Sequence, residues 1–415
     1  MINTMILDIY LMDIPLCILQ YICDKYLNFS DIKNLRKMNK KCNRIKIKEF
    51  GWLSPNIINK LNDDMLQNYP YLERLSTYDN SIISNPNHLI NLKYLWIGCD
   101  TIKNHNITNL VNLETLIIFH NKSIICINHL QKLKKLQIFG DCVINNDGIK
   151  DLVNLEELNI ENNKMITNIN HMSKLKILDI SGECIITDHN IKNLTNLEEL
   201  IINGNKYITN INHLKHLKIL GASYNCIIKN DGIANLVNIE ELYICDNSNI
   251  TNVNHLKHLK ILMIYNNTNI SNDDVEDLAN LKELHISNNL KITNVNHLVN
   301  LDVLHIINNC GITNDGIKEL ICLKELCIDD NTQITSISHL TNLKSLSIQN
   351  NHTINNDDIK DLINLEELDI SNTSNITNIN CLTNLKTLHL NDQSVITDEG
   401  IKDLCKLKYY MCTSD

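Results

Sequence analysis

The sequence predicts an α/β solenoid over residues 72–415, with one short parallel strand per coil, behind a small all-α head at residues 1–50. Three observations predict this. The pattern L-x-x-L-x-I starts seventeen times between Leu72 and Leu407. From residue 133 onward its starts lie alternately 22 and 20 residues apart, a super-repeat of 42. Four prolines and eleven glycines in 415 residues are too few for several domains on flexible linkers.

The repeated unit dictates the strand. Leu155-Glu-Glu-Leu-Asn-Ile160 returns as Leu197-Glu-Glu-Leu-Ile-Ile202 and Leu365-Glu-Glu-Leu-Asp-Ile370. Between them run Leu175-Lys-Ile-Leu-Asp-Ile180 and Leu259-Lys-Ile-Leu-Met-Ile264. Positions 4 and 6 of each unit must face inward and positions 3, 5 and 7 outward, because side chains alternate along a strand. One unit cannot bury its apolar face alone, so neighbours must stack. At about 4.8 Å per strand, seventeen coils would extend roughly 80 Å. Units this short leave room for a single helical turn opposite the strand. Position 9 is usually asparagine (Asn80, Asn121, Asn163, Asn205, Asn225, Asn247, Asn267, Asn289, Asn309, Asn331 and Asn351), and its amide can satisfy backbone groups where the chain leaves the strand.

The whole unit, L-x-x-L-x-I-x-x-N-x-x-I-T-N-I-x-x-L-x-x-L from Leu155 to Leu175, resembles the leucine-rich repeats. The resemblance implies a horseshoe with the strands on its concave face. Longer units such as Cys310-Gly-Ile-Thr-Asn-Asp-Gly-Ile-Lys-Glu-Leu320 are similar to the cysteine-containing repeats of F-box proteins.

Residues 12–45 lack the repeat. Ile18, Leu19, Ile22 and then Tyr26 fit one helical face. Asn28 or Ser30 can cap a second helix carrying Ile32, Leu35 and Met38. This pair resembles the F-box. Ile14-Pro15 stands for its Leu-Pro, Ile18-Leu19 for its Ile-Leu, Ile22 and Leu27 for later apolar positions, and Asp31-Ile32 for its Asp-Leu, with Leu35 following. Cys17 and Cys42 depart from the motif, replacing a frequent Glu and a late aromatic. The resemblance implies that Ile14, Pro15, Ile18, Leu19, Ile22, Leu27, Asp31, Ile32 and Leu35 bind the Skp1 linker protein of a cullin ubiquitin ligase. The competing reading is a cap over the first repeat's open edge. Residues 51–71, punctuated by Pro55 and Pro70, are expected to be linker and N-terminal cap. The basic run Arg36–Lys48 reads as a solvated helix face, or alternatively as a nuclear-localisation patch.

Composition excludes several functions. The formal charge is −10. Residues 1–50 hold nine Lys/Arg and five Asp/Glu, and the remainder 29 and 43, so a basic head precedes an acidic body without the clustered cations that phosphate needs. Neither nucleic acid nor membrane is expected as a partner. The apolar start from Met5 to Leu19 carries Asp8 and Asp13 but no Lys or Arg, so no secretory leader is expected. Fifteen cysteines without a C-x-x-C pair read as reduced and intracellular. The expected location is therefore the cytoplasm, with the nucleus as second choice. The 68 asparagines look like the codon bias of an AT-rich genome, such as that of a large DNA virus of protists, and on that reading no single asparagine points to function.

Several columns look chemical. His88, His129, His171, His213, His255, His297 and His339 recur at 42 residues apart from one interval of 41. Column neighbours would lie two coils, roughly 10 Å, apart. They cannot share a zinc ion with ligand bonds of about 2 Å, and packing or capping on the convex side is expected. Cys142, Cys184, Cys226 and Cys310 are too far apart for disulfides and read as small buried residues of the convex arc. Asn146-Asp-Gly148, Asn230-Asp-Gly232, Asn314-Asp-Gly316 and Asp398-Glu-Gly400 read as N-caps of the convex turn. No nucleophile elbow, phosphate loop, zinc-protease or dinucleotide motif occurs, so no enzyme, cofactor or metal is expected.

The outward strand positions hold the candidate contacts. Tyr94, Trp96, Phe119, Phe139, Tyr243, Met263, Tyr265, His285 and His305 concentrate scarce aromatic and polarisable groups on one surface. Column 2 alternates glutamate and lysine (Glu156, Lys176, Glu198, Lys218, Glu240, Lys260), which reads as cross-strand pairing. The expected function is a non-enzymatic protein adaptor, monomeric outside its complex: the head takes the linker protein and the repeats take an unknown substrate protein of the ligase. The alternative is a binding-only scaffold or decoy without a ligase link.

Overall fold

The computed structural model describes Gln20, Lys33, Arg36 and residues 46–49, 60–78, 80–98, 100–391 and 394–413. The proposed linker-binding residues Ile14, Pro15, Ile18, Leu19, Ile22, Leu27, Asp31, Ile32 and Leu35 lie outside the described residues.

The chain divides into two compact units, Met1–Asn196 and Leu197–Asp415. The first holds β1 (Arg74–Thr77), β2 (Tyr94–Ile97), β3 (Thr115–Phe119), β4 (Lys135–Phe139), β5 (Glu157–Asn159) and β6 (Ile177–Asp179). Each pairs with the next, always parallel. The second holds β7 (Glu199–Ile201), β8 (Ile219–Gly221), β9 (Glu241–Tyr243), β10 (Ile261–Tyr265), β11 (Glu283–Ser287), β12 (Val303–Ile307), β13 (Glu325–Cys327), β14 (Ser345–Ser347), β15 (Glu367–Asp369), β16 (Thr387–Asn391) and β17 (Tyr409–Thr413). These too pair in sequence and in parallel. Every predicted repeat start therefore opens a strand, beginning at its third position.

Each coil closes on its own apolar wedge. In the coil opened by Leu155, Leu155, Leu158, Ile160, Ile166, Ile169 and Met172 are all fully buried. Burial of one such side chain contributes about 1.5–3 kcal/mol, realised only when the coils on either side are present. Along the strands, inward positions are buried and outward ones half-buried, as the alternation requires.

Position 8 turns the chain out of the strand. His120, Asn162, Tyr224, Asp246, Asn266, Asn288, Asn308, Asp330, Asn350 and Asn372 all have φ between 49° and 60°, and Gly182 has 69°. Asparagine, aspartate and glycine tolerate this left-handed conformation and other side chains resist it. Tyr224 occupies it although bulky, and its ring is 62 % exposed.

Position 9 then locks the turn. Asn289 is fully buried. Its Oδ1 accepts from the N–H groups of Lys291 and Ile292, both at 2.9 Å, while its Nδ2 donates to the carbonyls of Asn267 and Ile270 in the coil before, at 2.6 and 3.0 Å. Asn80, Asn121 and Asn351 bond in the same way, to their own coil and to the one before. Two members expected in this ladder stand outside it, since Asn225 and Asn309 are exposed. In their coils Cys226 and Cys310, one position later, take the buried place instead. The cysteine column thus sits beside the strand ends, not on the convex arc. Its thiols act as donors there: Cys184 Sγ lies 2.8 Å from the Ile160 carbonyl, and Cys310 Sγ 3.3 Å from that of Ile307. Burial pushes the Cys184 thiol up to about 12.

The convex side repeats the device. The Asn-Asp-Gly asparagines are not the caps: Asn145, Lys229, Thr313 and Thr397 hold those places. Asn146 instead reaches the next coil, donating to Thr167 Oγ1 at 2.8 Å and accepting from Thr167 N–H at 2.8 Å. Asn230 treats Thr251 alike, which explains the threonine of the I-T-N triplet. The glycine is set by close approach, because a Cβ on Gly148 or Gly232 would sit 2.2 Å from a carbonyl oxygen of the preceding coil. Asn128, Asn170, Asn212 and Asn296 span to the following coil, and Asn154, Asn238, Asn280 and Asn364 to the preceding one. His129, His171 and His255 each place Nε2 3.1 Å from a carbonyl of the preceding coil, which makes them donors at that atom, in keeping with the convex-side role expected of the column. The asparagine excess is therefore used by the fold, contrary to the view that composition alone accounts for it.

Residues 46–49 precede β1 as a further coil would. The Lys48 carbonyl accepts from Glu73 and Arg74 N–H, as the Glu73 carbonyl does from Lys93 and Tyr94. Gln20 grips both backbone groups of Lys46, at 2.8 and 3.1 Å.

Asn289→Ala orphans the buried Ile292 N–H, the part-buried Lys291 N–H and two cross-coil acceptors, at roughly 1–3 kcal/mol for each buried group left unsatisfied. Its urea midpoint should fall clearly, while Asn309→Ala, at the same repeat position but exposed, should stay within about 0.5 kcal/mol of wild type.

Candidate interaction surface

In the first unit the Arg74 guanidinium lies 4.0 Å over the Tyr94 ring, the two standing in register on β1 and β2. Tyr78 packs on Trp96 at 4.7 Å between ring centroids and on Phe119 at 5.6 Å. Phe119 meets the His120 ring edge-on at 4.3 Å, and faces Phe139 across β3 and β4 in register. The four predicted residues of this unit therefore share one surface. Tyr78 and Arg74 belong to it as well. Sequence reasoning missed them because the first coil carries Thr77 where an isoleucine marks the strand in most other coils. The signal was present, since Tyr78 is position 7 of its coil. The Trp96 indole N–H is buried without a hydrogen-bond partner, an exception to the rule that buried donors are paired.

In the second unit Tyr243, Met263, His285 and His305 occupy position 5 of four adjacent strands. Tyr265 ends β10, at position 7 of its coil. The Tyr243 hydroxyl donates to Glu241 Oε2 at 2.7 Å. Burial, then that carboxylate, raises its pKa well above the usual phenol range. The column continues past the predicted residues as Cys327, Ser347, Asp369 and His389. Ser347 Oγ donates to Asp329 at 2.7 Å, and Gln349 Nε2 to Asp369 at 2.6 Å.

His285 is a correction to the expected surface. It is only 7 % exposed, packed edge-on against His305 with centroids 4.3 Å apart, so it cannot be a contact residue. The two Nδ1 atoms are 2.9 Å apart, and His305 Nε2 lies 3.0 Å from Glu325 Oε1. With His305 donating to Glu325, its Nδ1 accepts and His285 Nδ1–H donates. Glu283 faces His285 Nε2 at 3.8 Å. Burial, then the neighbouring His305, lowers the His285 pKa to about 4. Among the described residues no three histidine, cysteine or acidic side chains converge as a metal site, and no helix is long and apolar enough to cross a membrane.

No family model matches the chain, and no curated protein matches it either. Solved structures do. A leucine-rich-repeat protein of Leptospira interrogans is 26% identical over 78% of this chain and 91% of that one, with a TM-score of 0.60. The functional domain of InlJ from Listeria monocytogenes, which includes a cysteine ladder, is 24% identical over 71% of this chain and 66% of that one, with a TM-score of 0.52. The architecture is the leucine-rich-repeat solenoid, and the chain is a repeat scaffold for protein interaction.

His285 supplies a pH test. Its folded pKa near 4 lies below the ordinary 6.5, so between those values the unfolded chain binds a proton that the folded chain refuses. Stability is lost as pH falls through that window. The advantage of wild type over His285→Gln, read as the difference in urea midpoints, should shrink from pH 7 to pH 4.5. A constant difference would contradict the assignment.

Proposed function

We propose that the repeats capture a protein on the outward face of their strands and that the head delivers it to a ubiquitin ligase by binding the Skp1 linker protein. The observation that carries the capture reading is the Tyr78–Trp96–Phe119 cluster with the stacked Arg74–Tyr94 pair. Aromatic and arginine side chains dominate binding energy at protein interfaces, and Tyr78 stays exposed at the centre of the cluster. The delivery reading is supported by the F-box resemblance of Ile14 to Leu35 and by the adjacency of such a head to leucine-rich repeats. No step requires catalysis by this chain, and a ligase adaptor of this kind acts in the cytoplasm. A scaffold or decoy that binds through the same face without the linker protein is the second reading, favoured by the departures at Cys17 and Cys42.

The test uses the full chain. Leu19→Asp should abolish retention of purified Skp1 while leaving the urea midpoint of the repeats unchanged, because stacked coils depend on their nearest neighbours. Trp96→Ala and Tyr243→Ala should retain Skp1 and weaken capture of the substrate protein by tenfold or more, as loss of a buried aromatic anchor does. If wild type fails to hold Skp1, the ligase reading is wrong and the scaffold reading stands.

A further inference from the structure

The N-terminal rim of the strands in the second unit carries a groove unlike its surroundings. His216, Lys218, His258, Lys260 and Lys282 line it, together with Asn238, Asn280 and a single carboxylate, Glu240. The unit as a whole is strongly acidic, with 16 lysines against 28 aspartates and glutamates. The Glu–Lys alternation of column 2 gives the ion pairs Lys260–Glu240 at 2.5 Å and Lys218–Glu198 at 3.6 Å, and it breaks at the far side of the groove. Where a glutamate would continue it stands Lys282, and its backbone N–H bonds the Lys260 carbonyl, so two lysines are direct neighbours on adjacent strands. Like charges so placed cost stability. Lys282 Nζ meets the Asn300 carbonyl, not a carboxylate. The two asparagines are committed to the scaffold through the carbonyls of Lys215 and Lys257. Lys218 and Lys260 each meet one glutamate in a solvent-exposed pair of the kind that contributes little, and the three lysines and two histidines are all exposed.

We infer that this rim groove binds an extended acidic segment of a partner protein. The geometry selects that ligand over a small anion. Lys218 and Lys260 recur two coils apart, roughly 10 Å, and an extended peptide covers this distance in three residues at about 3.3 Å each. Carboxylates at i and i+3 therefore meet successive lysines. Beyond the groove the same column continues as Asp302, Lys324, Lys344, Glu366 and Lys386, of which Lys324 and Lys344 are again direct neighbours while Asp302 and Glu366 pair with Lys324 and Lys386. This surface lies at the strand N-termini of the second unit, and the inference holds whether or not the head binds a linker protein.

Fluorescence anisotropy of the full chain with a fluorescein-labelled decaglutamate peptide tests it. Binding is expected at 50 mM salt, weakening at 300 mM as screening shortens. Lys218→Gln/Lys260→Gln/Lys282→Gln should weaken it by tenfold or more, and Lys229→Gln/Lys291→Gln/Lys318→Gln, exposed elsewhere on the same unit, by less than twofold. Absence of binding by the wild-type chain, or equal loss in both variants, overturns the inference. So does displacement of the peptide by equimolar inorganic phosphate, which would mark a small-anion site, or tighter binding of a labelled oligouridylate, which would mark a polyanion site without preference for protein.

Discussion

The carboxamide of asparagine, spanning from one coil to the next, is the interaction on which the rest of this structure depends. A short strand followed by an abrupt turn leaves N–H and C=O groups inside the stack with no sheet partner. Water cannot reach them, and each would cost roughly 1–3 kcal/mol if left alone. One asparagine side chain offers two acceptor lone pairs and two donors, so it can serve two N–H groups of its own coil and a carbonyl of the coil before it. Asn289 does this in full. Aspartate would lack the donors, and leucine would lack both.

The same economy explains the convex side. Coils of 20–22 residues have no room for a full helix, and a single turn satisfies few of its own backbone groups. Asn146, Asn128 and Asn154 carry out on that side what Asn163 carries out beside the strand. His129, His171, His255, His297 and His339 of the histidine column add imidazole donors to carbonyls of the preceding coil. Where position 9 is not buried, a cysteine at position 10 takes over, because a thiol is small enough to be buried and still reaches a carbonyl. The apolar wedge supplies the driving force for stacking, and the polar columns fix the register.

Strand positions, their direction and their facing were legible because leucine and isoleucine alternate with strict spacing, and a period of two allows only one set inward. The asparagine at position 9 was legible as a backbone partner for the same reason. The left-handed position 8 was not, because Asn, Asp, Gly, His and Tyr share it, and the common factor is a dihedral angle, not a chemical type. The exchange of Asn309 for Cys310 was not legible either, since it depends on how many residues the turn spends before re-entering the core. The aromatic cluster was read from Trp96 and Phe119 but lost Tyr78, whose coil departs from the apolar pattern. His285 was placed on the surface because its position faces outward, yet neighbouring rings on β10 to β12 can bury an outward side chain in a sheet this flat in register. The Lys282 break in column 2 was visible as a letter, and only the strand pairing shows that it sets two ammonium groups side by side.

Amide hydrogen exchange across the whole chain tests the asparagine account most directly. The N–H groups of Ile83, Ile124, Ile166, Ile208, Ile292, Ile334 and Ile354 lie in turns, outside any strand, and bond to ladder carboxamides. The account predicts that they exchange as slowly as the strand amides of Leu158, Leu284 and Leu304, because opening them requires separating coils. Exchange at the rate of exposed turn amides such as Asn309 would show that the carboxamides decorate the stack without holding it.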